Sequence, residues 1–375
     1  MRVSTRTAPS TAHVPAEMTF GLRNFLGAAA GARQVKGCAA LRYAELPLWL
    51  TKALDLLFFE HYLHLLELVI AIVCYHTLWD FTLARAATPS LDWILPVFAF
   101  NYAVMLFTYG FWHLWTYHGP YAATLRKFKF NPEHPYAGAE GAAALRREVL
   151  FTSLGWAQSS ALQCFGTWAF ATGRAPYYAD FWSRPAFSLG TLLLVNLWRT
   201  SHFYWVHRLM HPWGWRGAWA RWDPGAALYR AVHALHHKSA NPGPWAGLSM
   251  HPVEHFLYYS CAWVAFFTPL HPLVFLFAKF HADVSPVGGH DGHADPGGGG
   301  AGYHWLHHHR FECNYGVPTI DWDRLCGTFV DTAAFKVKGD LEGARELTQR
   351  WDAARGWGAP IPLEAVMTAE EKKRT

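Results

Sequence analysis

Charge is scarce in this sequence: Asp, Glu, Lys and Arg together supply 16% of 375 residues, against the quarter usual in soluble domains. The formal net charge is +5, and its Lys and Arg are scattered through connecting segments with no basic stripe, which argues against a nucleic-acid groove and leaves no nucleic-acid partner expected. The six cysteines, Cys38, Cys74, Cys164, Cys261, Cys313 and Cys326, form no CxxC pair. Three of them lie in apolar runs, where Cys behaves as a small hydrophobe, so neither a disulfide framework nor a zinc–cysteine site is indicated. The metalloprotease pattern H-E-x-x-H and the Glu-x-x-His pair of soluble di-iron bundles are both missing. "GLSMH" around Ser249 lacks the second glycine of a nucleophile elbow. The glycine run in "GGHDGHADPGGGGAGY" lacks the lysine and hydroxyl residue of a phosphate-binding loop. No internal repeat is present.

What the chain does have is aromatic and imidazole side chains: 20 Trp, 16 Tyr, 26 Phe and 23 His. Little charge with much Trp, Tyr and His fits a membrane protein with a histidine-based site. Mean hydropathy near zero understates this, because those three residue types score as polar yet sit well at a membrane interface. Apolar runs long enough to span a bilayer, roughly 20 residues as helix, occur near 61–80, 93–117, 149–172 and 186–206. Basic residues alternate between the connections. Arg2, Arg6, Arg23, Arg33, Lys36 and Arg42 precede the first run, and Arg126, Lys127, Lys129, Arg146 and Arg147 follow the second. The loops after the first and third runs hold only Arg85, and Arg174 with Arg184. The positive-inside rule then places both termini, and everything after residue 206, in the cytosol. A fifth apolar stretch, 255–281, is divided by Pro269 and Pro272 into pieces of about a dozen residues, too short to cross alone, and is expected to form a re-entrant hairpin or a pair of interfacial helices.

The expected class is therefore all-α: a membrane bundle of about four transmembrane helices under a cytosolic, histidine-rich helical cap. The division is a cytosolic segment 1–46, a membrane and catalytic domain 47–331, and a cytosolic tail 332–375 with helical apolar spacing over 340–357. Residues 1–16, rich in Ser, Thr, Ala and Arg, are read as a tail in preference to a transit peptide. The terminal Lys372-Lys373-Arg374-Thr375 resembles a dilysine retrieval signal, so the endoplasmic-reticulum membrane is the expected location.

Three histidine clusters stand out. In "YWVHRLMH", His207 and His211 are one helical turn apart. In "HALHH", His233 and His237 share a face with His236 beside them, and His304, His307 and His308 in "YHWLHHHRFECNYG" repeat the spacing. Packed imidazoles repel when protonated and are costly to bury without a shared cation. Eight are too many for one ion, so two ions with open positions fit the count. Imidazole suits Zn, Cu, Fe and Ni, and the ligand set alone leaves the metal open. Beside a bilayer, the natural substrate is lipid. His281, His290 and Glu254 are candidates for additional ligands or for groups that orient ligands. Asn314, Tyr315 and Gly316 are expected to form a turn beneath the third cluster, braced by Trp322 and Asp323. Arg208 is expected to meet a carboxylate, a lipid headgroup or solvent, and His61, His64, His76, His113 and His118 are read as interfacial.

The order HxxxH, HxxHH, HxxHH, with "FYWVHRLMH" closing a membrane helix and "HHHRFECNYG" followed by "WDRLCGT", resembles the membrane-bound fatty-acid hydroxylase and sterol desaturase superfamily over Trp198 to Thr328, about a third of the chain. "HDG" at 290–292, "HWLHH", "NYG" and "WDRLCGT" resemble the sterol C-5 desaturases, whereas "HPVEH" at 251–255 resembles the sterol methyl oxidases. Thr200 and Ser201 stand where many members carry an acidic residue. The resemblance implies a non-haem centre of two iron ions that uses O2 to attack an unactivated C–H bond, with electrons from NAD(P)H through cytochrome b5 and its reductase. It makes the expected activity C-5 desaturation of a sterol, with sterol 4-methyl oxidation or fatty-acyl hydroxylation as alternatives. A metal-binding membrane scaffold without redox activity is the alternative of another class.

Overall fold

The computed structural model describes residues 62–119, 122, 129, 131, 133–215, 217–292, 300–317, 320 and 322–329. Segment 1–46, the basic residues Arg126 and Lys127, and the tail 332–375 with its terminal lysines lie outside the described residues. The named elements among them are all helices, and an isolated bridge pairs Tyr177 with Leu270.

The first helix, α1, runs from Tyr62–Cys74 through a wide turn at Tyr75–Trp79 into Asp80–Leu83. Its sequence sorts by face. Leu65, Val69, Ile72 and Val73 are exposed, while Glu67, Ala71 and Cys74 are buried against the bundle. This is the helical spacing of one outward apolar stripe and one packed stripe. The second helix, α2, begins at Leu91–Met105 and continues through Leu114–His118 with two more wide turns. Among the described residues, two helices, His64–Leu83 and Leu91–His118, are long and apolar enough to cross a membrane. The other two expected runs coincide with α3, Gly138–Ala171, and α4, Pro185–Leu209. Their inward faces are more polar than the composition of a simple span: Ser159, Ser160, Gln163 and Thr167 on α3, and Asn196, Arg199 and Thr200 on α4 are buried.

The fifth apolar stretch divides at its prolines, as expected. Pro252–Tyr259 (α6, following the short α5 at Pro224–Ala231) continues through Ser260–Trp263 to Val264–Phe267, and the chain then turns into α7, Pro272–Gly289. The turn lies against the loop after α3, where His271 donates through Nε2 to the Ala179 carbonyl at 3.1 Å. The second piece is longer than expected. At 18 residues α7 rises about 27 Å, running through Pro286, which sequence reasoning took as outside the apolar stretch. Proline removes the N–H that the Ala282 carbonyl would accept. The Tyr258 hydroxyl donates to that carbonyl at 2.9 Å instead, so the helix carries on.

This helix is the centre of the bundle, buried along nearly its whole length. Its ion pair, Lys279 Nζ to Asp283 Oδ2 at 3.0 Å, is fully buried. Lys279 also donates to Asn101 Oδ1 at 2.8 Å, and Asp283 accepts from Ser159 at 2.9 Å. A buried pair with these extra bonds fixes the register of α2, α3 and α7 relative to one another. One end of α7 is thereby set beside α8, Gly300–Arg310, while the short α9, Trp322–Cys326, packs on α4.

Candidate metal centre

Helix α4 ends at Leu209, which leaves His207 on its last turn and His211 just beyond it. His233, His236 and His237 occupy a 3-10 turn at His233–Lys238 that follows α5, and His304, His307 and His308 lie on α8. All eight are buried. They assemble as two groups, each able to bring one nitrogen per residue to a common point: His207, His211, His233, His237 and His307 in one, and His236, His290, His304 and His308 in the other. The i, i+4 partners stay together, as the helical spacing requires. The odd member of each triplet, His236 and His307, points to the opposite group, so each HxxHH motif bridges both.

The ring protons show what such an arrangement needs. His207 Nδ1 is 2.6 Å from the Tyr315 carbonyl and His307 Nδ1 is 2.7 Å from the Cys313 carbonyl. A carbonyl only accepts, so both rings carry their proton on Nδ1 and present a lone pair at Nε2. His290 is fixed the same way, with Nδ1 2.8 Å from the Pro286 carbonyl. Around His237 Nε2 stand His233 Nε2 at 3.0 Å, His307 Nε2 at 3.1 Å and His211 Nε2 at 3.3 Å. One ring proton serves only one of these. His290 Nε2 likewise faces His304 at 2.9 Å and His236 at 3.3 Å with a single lone pair. Protonation does not relieve the conflict. Burial holds His233 down to about 3 and His290 to about 4, and burial with the neighbouring imidazoles pushes His236, His237, His304, His307 and His308 well below the usual histidine range. His308 is fully buried with neither ring nitrogen hydrogen-bonded. Lone pairs converging in two groups without protons to share are the donor set of two cations, and the residues present fit a dinuclear centre.

The sequence-selected helpers fall into different places. Glu254 Oε1 is 2.7 Å from His233 Nδ1, where it orients that ring. His290 joins the second group outright. His281 does not reach either group; it pairs with His64 and Glu67. His64, expected at an interface, is therefore buried, a placement that spacing along the chain does not report because its partner is over 200 residues away. Arg208 meets no carboxylate among the described residues: it donates to the carbonyls of Pro212 at 2.8 Å and His211 at 3.3 Å, and its guanidinium lies 5.1 Å over the Tyr315 ring. It thus ties down the turn that follows α4. The turn at Asn314–Gly316 does lie beneath the third cluster. Asp323 accepts from the Tyr315 and Gly316 N–H groups at 2.9 and 2.7 Å, and Trp322 stacks on Tyr204.

A cleft opens beside the nine histidines, walled by Phe203, Val206, Met210, Met250 and Pro286, with His207, His233, His236, His290 and His304 at one side. Residues 192–328, which include every one of the nine, match the fatty acid hydroxylase family. The chain is 28% identical to human lathosterol oxidase over 217 residues, covering 55% of this chain and 68% of the human protein. It is 30% identical to the rat lathosterol oxidase over 39% of this chain and 47% of that protein. Against the Delta(7)-sterol 5(6)-desaturase of Saccharomyces cerevisiae it is 34% identical over 36% of this chain and 37% of the yeast protein. The chain therefore spans two thirds of the human relative and about half or less of the other two. No solved structure matches it.

Proposed function

We propose, from the match of residues 192–328 to the fatty acid hydroxylase family, that this chain is a membrane-embedded, O2-dependent oxidoreductase that introduces a double bond into a sterol, acting as the names lathosterol oxidase and Delta(7)-sterol 5(6)-desaturase describe for its relatives. The observation that carries the reading is the pair of histidine groups whose lone pairs converge at the edge of an apolar cleft. His207, His211, His233, His237 and His307 would hold one iron ion, and His236, His290, His304 and His308 the other. Bound there, two iron ions would supply removal of hydrogen from unactivated C–H bonds with O2 as oxidant, two of its four electrons coming from the substrate and two from an external donor, with water as the other product. Electron supply from NAD(P)H through cytochrome b5 and its reductase, and residence in the endoplasmic-reticulum membrane, are part of the same proposal and rest on the family resemblance.

The chain's own part is to hold rings and to place carbon. The carbonyls of Tyr315, Cys313 and Pro286 fix three tautomers, and Glu254 fixes a fourth. The apolar wall orients a flat hydrocarbon so that two neighbouring C–H bonds face the histidines, the placement that yields an alkene instead of an alcohol. "HPVEH", the motif shared with sterol methyl oxidases, does not argue against this. Its Glu254 holds His233, and its His255 donates through Nε2 to the Leu248 carbonyl at 3.0 Å. Glu254 thus supports the metal centre, His255 braces the backbone at Leu248, and neither reports which carbon is oxidised. Glu254→Ala is expected to lower activity or metal affinity 10- to 100-fold, as loss of a ligand-orienting carboxylate does. Sterol turnover and zinc competition against a chromophoric chelator would measure it, and unchanged values would remove Glu254 from the centre.

Four crossings, through α1, α2, α3 and α4, are part of the proposal. Exposed apolar side chains run along the last two as well, with Leu150, Leu154 and Phe165 on α3 and Leu189, Leu193, Leu194 and Trp198 on α4. α4, at 25 residues, rises about 37 Å, enough for a hydrocarbon core of about 30 Å. Glycosylation acceptors inserted near residues 88 and 178 are expected to be modified, and one near residue 295 to stay bare. Modification at 295 would put the histidines of one centre on opposite sides of the bilayer and end the reading. The experiment that tests the activity is expression in yeast lacking its own C-5 desaturase, with sterols analysed by mass spectrometry. New 5,7-diene sterols are expected. Hydroxylated fatty acids with unchanged sterols would favour the fatty-acyl hydroxylase, and a protein that binds zinc and never consumes O2 after iron reconstitution would favour the scaffold.

A further inference from the structure

We infer that His64, Glu67 and His281 form a third metal site, separate from the nine-histidine centre and independent of the oxidase reading. His64 and Glu67 are three residues apart on α1 and so share one face. His281 reaches them from α7, which packs against α1. All three are buried, Glu67 completely. His64 Nδ1 and His281 Nδ1 lie 3.0 and 3.7 Å from the same carboxylate oxygen, Glu67 Oε2. The two imidazoles stack with centroids 4.4 Å apart. Donors held at about 2.0–2.1 Å from a zinc ion stand about 3.3 Å from one another in a tetrahedral shell, and the two recorded separations bracket that value.

Charge balance points the same way. Glu67 Oε1 is buried with no hydrogen-bond partner. An ionised carboxylate so placed is stabilised by a cation. Two stacked imidazoles cannot both carry the charge, because like charges at this separation disfavour each other. The guanidinium on the neighbouring wall, Arg199, is engaged by Tyr258 and lies over its ring, and it makes no ion pair with Glu67 among the described residues. A divalent ion answers all three demands: it neutralises the carboxylate and takes a lone pair from each neutral ring. Two His and one Glu are a three-ligand set that suits zinc or ferrous iron with a position left open. That position faces the cleft, since His64 and His281 both line it. Along α7, His281 precedes Gly289 by eight residues, about 12 Å, so an ion here is not one of the dinuclear pair. It would serve as a Lewis-acid contact for an oxygen substituent of whatever occupies the cleft.

The test is metal content of the full chain in detergent, stripped with chelator, reloaded with Zn2+ alone and freed of excess. Three zinc ions per chain are expected for the wild type and two for Glu67→Gln and His281→Ala. His64→Asn preserves a hydrogen bond to Glu67 while removing an imidazole donor, so it keeps the test open where a harsher variant fails to fold. It too is expected to hold two. Equal zinc in the wild type and in folded His64→Asn and Glu67→Gln overturns the site. Removal of a dinuclear ligand by His308→Ala reports on the other centre. A wild type with a single zinc that Glu67→Gln abolishes would uphold this site and sink the dinuclear one.

Discussion

Replacing His308 by alanine is expected to abolish sterol conversion, a loss well beyond the 10- to 100-fold attached to a ligand-orienting partner. The side chain is fully buried on α8, and neither of its nitrogens has a hydrogen-bond partner in the protein. A buried imidazole that bonds to nothing costs stability unless it ligates. Its removal should therefore take away the activity while leaving the fold intact or even firmer. Two measurements made together decide it: 5,7-diene sterols in the complemented yeast, and the thermal midpoint of the purified variant. An inactive variant with an unchanged or higher midpoint is the expected result. Retained activity would take His308 out of the centre, and with it the argument from unpartnered nitrogens.

The candidate centre is legible in the sequence because its histidines come in local sets. His207 with His211, His233 with His237, and His304 with His308 are each one helical turn apart, and a turn of helix is the one geometry that spacing alone specifies. What spacing does not specify is which set faces which. The division of adjacent pairs between two groups, His236 from His237 and His307 from His308, follows from the angle between neighbouring residues on a tight helix, about 100–120°, and becomes visible only when three helix ends meet. His290 is, with His281, a sequence candidate for completing the metal shells, and its Nε2 stands beside His304 and His236. His64 and Glu67 were illegible as a site. On α1 they look like polar residues near a helix end, and their significance depends on His281 arriving from a helix that the sequence reading had cut short. The length of α7 was missed for a related reason: Tyr258, not any neighbour in sequence, satisfies the carbonyl that Pro286 leaves open.

Asp323→Ala is expected to destabilise the protein by about 2–6 kcal/mol, and Asp323→Asn by a large part of that, on the ground that each of the two fixed backbone N–H donors left unmet costs about 1–3 kcal/mol, the two hydroxyl donors being free to turn elsewhere. Asp323 is buried at the start of α9 with both oxygens in use. Oδ1 accepts from the Tyr315 N–H at 2.9 Å and the Thr328 hydroxyl at 2.5 Å, and Oδ2 from the Gly316 N–H at 2.7 Å and the Tyr303 hydroxyl at 2.8 Å. An asparagine presents an amide N–H₂ to one of these pairs of donors, so it is no substitute. The four bonds clamp a loop that the backbone alone would not favour, since Phe311 and Asn314 both adopt left-handed φ, 66° and 55°. Gly316 sits so close that an added Cβ would lie 3.0 Å from Asp323 Oδ2. The same loop carries the Cys313 and Tyr315 carbonyls that set the tautomers of His307 and His207. Loss of the clamp should thus lower the thermal midpoint and the metal content together, and added zinc should restore part of the midpoint by mass action on the folded state. If Asp323→Asn melts at the wild-type temperature with full metal content, the loop is held by something other than this carboxylate, and the link from "WDRLCGT" to the histidine tautomers fails.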